Sequence, residues 1–387
     1  MKFALAFSAL AASTAVTALY IPEPKIKEPV YTVELAPGET RQVTESEKWE
    51  LLGQGKHFID ITDYQHIDSR RVQVSAVAFP ASVAFPASVA HEDVVKPLIT
   101  GLSANNIYSK LEKYTSFNNR YYKSATGKEA AEWLLQQVQD IISGAGGNST
   151  RVAASVKPFV HPSWGQNSVI ATIPGKSANT IVVGSHLDSV NQRNPTNGRA
   201  PGADDNGSGS MTILETLRVL LSDPEVAAGQ APNTIEFHWY AAEEAGLLGS
   251  QAIFAAYKKE GRQVKAMLNQ DMTGYVQGTL AANKPEAMGV VTDNVDKNLT
   301  AFIKKVIAAY CAIPAVDTRC GYACSDHASA NRNGYPSAFV IESAMEHSSD
   351  FIHGTGDTID TVSAEHMLEH AKMSLGFAYE LGYAEGL

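Results

Sequence analysis

The sequence lacks several features that mark particular classes of protein. No basic run of the kind that follows a phosphate backbone occurs along the 387 residues, and the net charge is −10, so nucleic acid is not an expected partner. Charged residues make up only 19% and hydrophobic residues 44% of the chain, which excludes the disordered class and allows a full core. Beyond the N-terminus no apolar stretch is long enough to span a bilayer, so we expect no membrane-embedded segment.

Cysteine is also scarce, with three residues in the whole chain. In an oxidising compartment two of the three are expected to pair while one stays free or buried. The segment "CGYAC" brings Cys320 and Cys324 close together, and Gly321 allows the bend that so small a loop needs. The alternative is half of a cysteine-rich zinc site, which the lack of a second pair disfavours.

The first residues have the pattern of a secretory signal peptide. The stretch "MKFALAFSALAASTAVTALY" has one early Lys, an apolar segment, and small residues at Ala15, Thr17 and Ala18. We predict a signal peptide over residues 1–18 and a secreted, extracellular protein. A membrane anchor is the alternative, but the stretch is short and interrupted by Ser and Thr.

The next segment differs in composition from the rest of the chain. It is rich in Pro, Glu and Lys and ends in a tandem repeat, "VAFPASVAFPAS", at Val77–Ser88. Repeated Pro and small residues suit an extended linker that proteases can cut. We therefore predict a propeptide over residues 19–88 and one main domain over residues 89–387. An additional N-terminal subdomain of the mature protein is the alternative.

From about residue 89 the pattern alternates between helices and strands. Apolar spacing predicts helices, the first over Gly127–Gly146, and runs such as "NTIVVGSHLDS" predict buried strands. This order indicates an α/β fold with a mostly parallel, mixed central sheet flanked by helices. Ligands bind such sheets outside the carboxyl ends of the strands.

Histidine and acidic residues follow several of these predicted strands. The glycine-rich turn "GADDNGSG" at residues 202–209 carries two adjacent acids. The histidine and acidic residues that follow the predicted strands are His186, Asp188, Asp204, Asp205, Glu243, Glu244, Asp271 and His353. Each alone is explained by helix capping, a surface pair or a structural His, but a cluster of unpaired acids at one sheet edge is strongly self-repelling. Divalent cations remove that repulsion, and His with carboxylates and no thiolate suits zinc, with cobalt or manganese as alternatives.

Six segments together resemble a known family. The segments "SHLDS", "GADDNGSG", "AAEEAGLLGS", "QDMTGY", "CGYACSDHAS" and "FIHGTGDT" have the order and spacing found in secreted two-zinc aminopeptidases of the MH clan of metallopeptidases. That family includes the fungal leucine aminopeptidases and the bacterial leucyl aminopeptidase. The resemblance covers nearly all of residues 89–387 and implies a phosphorylase/hydrolase-like α/β fold. The layout of signal, propeptide and catalytic domain also fits.

The resemblance implies a role for each acid and histidine. Asp204 would bridge two zinc ions, His186 and Asp271 would complete one site, and Glu244 and His353 would complete the other. Glu243 would be the general base. Asp205 would lie outside the ligand set, with a cis peptide bond between Asp204 and Asp205. Asp188 could be a ligand, but we favour it as the carboxylate that fixes the His186 ring.

The resemblance also implies the surroundings of the metals. Tyr322 would donate to the oxyanion, with a simple pocket wall as the alternative, and a Cys320–Cys324 bridge would hold its loop. Ser325 would hydrogen-bond the His353 ligand. Apolar residues next to the ligands would select substrates with Leu, Met or Phe side chains. The alternative for each of these residues is an ordinary place in the hydrophobic core. They are Met272, Tyr322, Phe339, Ile341, Met345 and Ile352.

The implied activity is removal of N-terminal leucine and other apolar residues from peptides with a free N-terminus. A carboxypeptidase would need a basic group for the terminal carboxylate, and the nearest candidates, Arg319 and Arg332, lie outside the metal motifs. A glutaminyl cyclase with one zinc and a binding protein on an inactive peptidase scaffold are the rivals. The presence of Glu243 and of all five ligands disfavours the inactive scaffold. We expect a monomer.

Three sequons occur in the chain. Secretion makes Asn148 and Asn298 expected glycosylation sites. Asn206 lies inside the acidic turn, where we expect no glycan.

Overall fold

The computed structural model describes residues 28–65, 83–145 and 152–387. The predicted signal peptide, the first half of the tandem repeat and the sequon at Asn148 lie outside the described residues. In the part of the chain that is described, no helix combines the length and the apolar character needed to cross a membrane.

Residues 28–65 fold into a small sheet and one helix, which we call the N-terminal unit. Its strands β1 (Val30–Ala36), β2 (Glu39–Thr44) and β3 (Ile59–Asp60) pair antiparallel in the order β2-β1-β3. Helix α1 (Glu45–Gly53) begins with a capping box formed by Thr44 and Glu47. This part of the predicted propeptide is therefore folded, although its composition suggests an extended segment.

The main domain follows from residue 83. Its helices are α2 (Glu92–Ile99), α3 (Ala104–Thr115), α4 (Ala125–Gly144), α5 (Gly209–Leu220), α6 (Pro224–Ala227), α7 (Leu248–Glu260), α8 (Gln277–Ala281), α9 (Lys297–Tyr310), α10 (His327–Arg332) and α11 (Ala364–Tyr383). Its strands are β4 (Ser155–Phe159), β5 (Ser168–Ile173), β6 (Asn179–His186), β7 (Thr234–Tyr240), β8 (Gln263–Gln270), β9 (Met288–Val291), β10 (Ala315–Thr318) and β11 (Ser337–Ile341).

One mixed sheet runs through the main domain. Its eight described strands have the order β10-β9-β11-β8-β6-β7-β5-β4, and the four central strands β11, β8, β6 and β7 are parallel. Strands β5 and β4 add antiparallel at one edge, and β9 pairs antiparallel with β11. The α/β fold with a mostly parallel mixed sheet is thereby confirmed.

The central strands are buried on both faces, as is typical of a parallel sheet. Strand β6 is buried along nearly its whole length. Its Ile181 and Val183 pack with α5 and α11 on one face, and Val182 packs with Ile253 and Phe254 of α7 on the other. A strand covered on both sides is typical of a parallel sheet with helices on its faces. The carboxyl ends of the four parallel strands therefore meet at one edge of the core, where the acidic and histidine residues follow.

Candidate metal centre

The strand ends place the predicted residues together. His186 is the last residue of β6, Asp271 follows β8, and Glu244 lies four residues after β7. Backbone strain concentrates here, because Ala242, Met272 and His353 have φ angles of 55°, 56° and 59°. Non-glycine residues adopt such angles at a cost and cluster at functional sites.

Two three-residue groups form around one shared carboxylate. Asp205 Oδ1 lies 3.1 Å from His186 Nε2, and Asp205 Oδ2 lies 3.0 Å from His353 Nε2. Asp271 Oδ1 is 3.2 Å from His186 Nε2, and Glu244 Oε2 is 3.2 Å from His353 Nε2. Each group presents three ligand atoms within 4.8 Å of one another and could hold one metal ion.

The prediction that Asp204 occupies the shared position is wrong. Both groups contain Asp205, and Asp204 belongs to neither. The Asp204 carboxylate instead accepts a hydrogen bond from the Gly274 amide at 2.9 Å. Burial and the neighbouring charge of Glu342 raise the pKa of Asp204 well above its usual value, so this acid favours its neutral form.

The backbone of the turn explains which acid faces the histidines. The carboxylate of Asp357 accepts the amides of Asp204 at 2.8 Å and Asp205 at 2.9 Å. The buried Arg120 donates to the carbonyls of Pro201 and Gly202 just before them. These contacts fix the backbone of the turn and therefore the direction of each side chain. A shift of the turn by one residue would exchange the positions of the two adjacent acids.

The predicted cis peptide bond is also displaced by one residue. It joins Asp205 to Asn206 rather than Asp204 to Asp205. The Asn206 side chain is buried and donates to Ser185 Oγ and to the Gln270 carbonyl. This burial agrees with the expectation that the sequon at Asn206 carries no glycan.

Asp188, which we expected to fix the His186 ring, lies beside the His186 nitrogen that faces away from Asp205 and Asp271. Its Oδ1 is 3.3 Å from His186 Nδ1, and it belongs to neither ligand group. The same carboxylate accepts the amides of Glu243 at 3.0 Å and Glu244 at 3.2 Å. One buried acid therefore joins the ends of β6 and β7.

The predicted hydrogen bond from Ser325 to His353 is wrong. Ser325 Oγ donates to Asp271 Oδ2 at 2.6 Å and accepts from Asn269 at 2.8 Å, so it orients the acid of the other group. His353 Nδ1 instead contacts Gln192 Nε2 at 2.9 Å. The partners of Ser325 and His353 depend on how separate loops pack against one another. Spacing within one segment of the sequence carries no information about that packing.

The loop beside the centre contains the predicted disulfide. Cys320 and Cys324 are bonded, and Cys311 is a free cysteine. Tyr322 stands between the bonded pair, with 36% of its surface exposed. Burial and the charges of Glu243 and Asp271 raise the pKa of Tyr322, so its hydroxyl keeps its proton and can donate.

The predicted pocket residues form one apolar cluster next to this loop. Met272, Phe339 and Ile341 are buried in it, and Met345 and Ile352 pack at its border together with both bonded cysteines. Tyr322 is not a member of this cluster. The structure thus brings the five other residues together beside Asp271.

The charges of the centre shift the pKa values of its members. Burial alone would raise the pKa of Asp205, but hydrogen bonds with His186 and His353 outweigh it and hold this pKa far below its usual range. Burial alone would lower the pKa of His186, but the charges of Asp271 and Glu243 outweigh it and raise this pKa. Burial and the charge of Asp205 raise the pKa of Glu244.

The donor set fits divalent metal ions. Glu244 Oε1 is buried without a hydrogen-bond partner within the described residues, which is costly for a carboxylate unless a cation neutralises it. Two histidines and three carboxylates in two adjoining groups match the ligands and the low coordination number of zinc.

Three positioning residues escaped the sequence analysis. They are Arg120, Gln192 and Asp357. Asp357 stands in the quoted segment "FIHGTGDT" only four residues after His353, so that motif held the signal. The other two lie in segments without a distinctive pattern. The remaining sequon is accessible, because Asn298 is exposed in the first turn of α9.

Comparison with known proteins identifies relatives of the whole chain. Residues 168–378 match the profile described as peptidase family M28. A leucine aminopeptidase 1 from Colletotrichum graminicola is 55% identical over 356 residues, which cover 92% of this chain and 86% of that protein.

Solved structures show the same architecture. The LapA aminopeptidase of Legionella pneumophila superposes with a TM-score of 0.76 at 30% identity, covering 93% of this chain and 95% of that one. A glutaminyl cyclase from Porphyromonas gingivalis superposes with a TM-score of 0.56 at 17% identity, covering 73% of this chain and 99% of that one. The second likeness concerns the fold alone.

Proposed function

The chain belongs to peptidase family M28, and we propose that it is a secreted, zinc-dependent aminopeptidase that removes leucine and other apolar residues from peptide N-termini. The observation that carries this proposal is the shared Asp205. Its two carboxylate oxygens lie 3.1 Å and 3.0 Å from two different histidines, each of which has a further acid beside it. This arrangement suits two zinc ions per chain, with Asp205 as the bridging ligand.

The ligands of the two ions are assigned from these groups. His186 and Asp271 would complete one site, and Glu244 and His353 the other. When bound, zinc acidifies water and withdraws charge from the scissile carbonyl. Glu243 belongs to neither group but lines the same small cavity as Glu244 and His353, so its carboxylate is free to act as the general base. It takes a proton from the attacking water and delivers it to the leaving amine.

Tyr322 and the apolar cluster complete the proposed site. The protonated hydroxyl of Tyr322 is a donor for the oxyanion that develops on the substrate. The cluster of Met272, Phe339 and Ile341 lies beside Asp271 and would receive an apolar side chain. The acids of the centre suit the free α-amine of an N-terminus. No Lys or Arg among the described residues lines the cavity that contains Glu243, Glu244 and His353, so a substrate carboxylate would lack a basic partner there, which favours an aminopeptidase over a carboxypeptidase.

Processing and location belong to the same proposal. Residues 1–18 would be removed as a signal peptide and residues 19–88 as a propeptide, leaving residues 89–387 as the secreted catalytic domain. The partners would be peptides with a free N-terminus, without nucleic acid or membrane. The mature protein would act as a monomer, with glycans at Asn148 and Asn298.

The first test is hydrolysis of leucyl-anilide by the secreted, processed protein before and after chelation. We expect activity to disappear with chelator and to return with zinc, and metal analysis to find two zinc ions per chain. Absence of hydrolysis with zinc bound would contradict the proposal. Cyclisation of an N-terminal glutamine under the same conditions would then favour the one-zinc cyclase.

The general base is tested by Glu243→Gln. We expect kcat to fall by about 10²–10⁴ because a positioned base contributes that much. The zinc content should stay at two per chain, since Glu243 belongs to neither ligand group. Loss of metal in this variant would show that Glu243 is a ligand instead.

A further inference from the structure

The loop that carries Tyr322 has few backbone contacts with the rest of the domain. It joins β10 to α10, and in the described part of the chain no backbone–backbone hydrogen bond links residues 319–324 to another segment. The Cys320–Cys324 disulfide closes the loop on itself, and both cysteines pack against the apolar cluster. A bond between two residues of the same loop does not set the position of that loop relative to the metal centre.

One carboxylate attaches the loop to the sheet. Asp293 Oδ1 accepts the Cys320 amide at 3.1 Å, and Asp293 Oδ2 accepts the Gly321 amide at 2.8 Å. Hydrogen bonds to an ionised acceptor are roughly twice as strong as those between neutral groups. The segment of Asp293 is itself held, because Thr292 donates to the Thr318 carbonyl with its amide at 3.0 Å and with its hydroxyl at 2.9 Å. The loop is thereby tied to the end of β9.

The same arrangement fixes two other segments of the centre. The carboxylate of Asp188 accepts two consecutive amides that begin at Glu243, and the carboxylate of Asp357 accepts two that end at Asp205. In both cases the acid is remote in sequence from the turn that it holds, and the turn presents a group of the proposed site. Asp293 repeats this arrangement, and the residue that follows its two amides is the proposed oxyanion donor.

The Tyr322 side chain depends on this loop once processing is complete. Its ring stacks on the His57 ring of the N-terminal unit with centroids 4.3 Å apart, and 36% of its surface is exposed. The proposed processing removes residues 19–88 and with them this ring contact. A donor stabilises an oxyanion only when it stands about 2.7–3.1 Å from the oxygen. In the mature protein the backbone before Tyr322 therefore has to hold the hydroxyl in place.

We propose that Asp293 is a positioning residue for the reaction, which holds the amides of Cys320 and Gly321 and thereby keeps the Tyr322 hydroxyl at the oxyanion. This inference rests on the proposed aminopeptidase function and on Tyr322 as the oxyanion donor. Asp293 belongs to neither ligand group and does not line the cavity that contains the general base. Its removal should therefore slow the reaction without releasing zinc.

The first measurement compares Asp293→Ala with the wild-type processed enzyme on leucyl-anilide. We expect kcat to fall about tenfold with KM nearly unchanged, because a misplacement of about 1 Å costs up to about 10²-fold and the hydroxyl acts only in the transition state. Asp293→Asn keeps one acceptor oxygen, so its kcat should lie between the two. The matched control is Asp317→Ala, an exposed aspartate on β10, which should leave kcat unchanged.

A double-mutant cycle with Tyr322→Phe distinguishes positioning from a general effect on structure. Tyr322→Phe alone should lower kcat by about 10²–10³. In that background Asp293→Ala should lower kcat by less than about twofold, because no hydroxyl remains to be positioned. Asp293→Asn is carried through the same cycle, so the test holds if Asp293→Ala fails to fold. Metal analysis should find two zinc ions per chain in every folded variant. An equal fall of kcat in both backgrounds would overturn the inference.

The outcomes separate this inference from the proposed function. Wild-type kcat in both Asp293 variants would overturn the positioning role and leave the aminopeptidase function intact. Full activity of Tyr322→Phe would likewise overturn it, because there would be no donor to position. Absence of hydrolysis by the wild-type protein with zinc bound would overturn the proposed function and, with it, the inference that rests on it.

Discussion

At the scale of single residues, two adjacent aspartates have opposite roles. Asp205 contacts both histidines, whereas Asp204 faces Gly274 and Glu342 with a raised pKa. An amide is a close mimic of a neutral carboxylic acid but a poor substitute for a bridging carboxylate. We therefore expect Asp205→Asn to lose bound zinc and Asp204→Asn to keep both ions.

Metal analysis after dialysis measures this difference directly. For Asp205→Asn we expect zinc affinity to fall by more than the 10–100-fold that is usual for a residue behind a ligand. Asp204→Asn is the matched control, since it makes the same chemical change one residue away. Equal loss of zinc in the two variants would contradict the assignment of Asp205 as the shared ligand.

The residue scale is also where sequence reasoning reached its limit. The family resemblance implied His186, Glu244, Asp271 and His353 as ligands, and the structure brings all four together around Asp205. The choice between Asp204 and Asp205 depends on amides held by Asp357, which lies about 150 residues away in sequence. Spacing within a motif carries no information about such a distant contact.

At the scale of elements, a buried acid joins strand β7 to helix α7. Glu236 accepts from Tyr257 at 2.7 Å and from Arg262 at 2.7 Å, and its carboxylate lies 3.0 Å from His238 Nε2. Burial alone would raise the pKa of Glu236, but His238 and Arg262 outweigh it and hold this pKa at about 2. The ionised form is thus strongly preferred in the folded state.

This pKa predicts how stability depends on pH. The pKa of Glu236 is lower in the folded than in the unfolded state, so its contribution is complete above the unfolded value and is lost as pH falls toward 2. We expect Glu236→Gln to lower the free energy of unfolding by about 3 kcal/mol at pH 7. Denaturant titrations should find a smaller difference at pH 3.5.

The exposed Glu129→Gln on α4 provides the control, with little change at either pH. If the effect of Glu236→Gln were the same at pH 7 and pH 3.5, the ionised carboxylate would not be its source. Lost packing would then explain it.

Elements differ in how well the sequence predicted them. The long helix α4 and the central strand β6 have sustained apolar patterns, and both were predicted. The short strands β9 and β10 and the edge strand β4 were not, because four or five residues are too few to establish a periodicity. The strands of the N-terminal unit were missed because the segment around them is rich in Pro, Glu and Lys, a composition that resembles a linker.

At the scale of the whole molecule, the centre joins segments that are remote in sequence. Its proposed ligands extend from residue 186 to residue 353 and lie at or after the ends of four different strands, β6, β7, β8 and β11. Without cations, Asp205, Glu244 and Asp271 would repel one another across these segments. Metal binding should therefore stabilise the main domain as a unit and not only complete the reaction site.

Thermal unfolding tests this coupling. A ligand that binds only the folded state at about 1,000 times its Kd adds about 4 kcal/mol of stability. For a domain of this size we expect chelation to lower Tm by about 5 °C or more, and zinc to restore it. Asp205→Asn should have the lower Tm from the start and should not respond to chelator, because the shared ligand is gone. A Tm that chelation leaves unchanged in the wild-type protein would show that the acids are accommodated without metal, which would contradict the assignment of these residues as a metal centre.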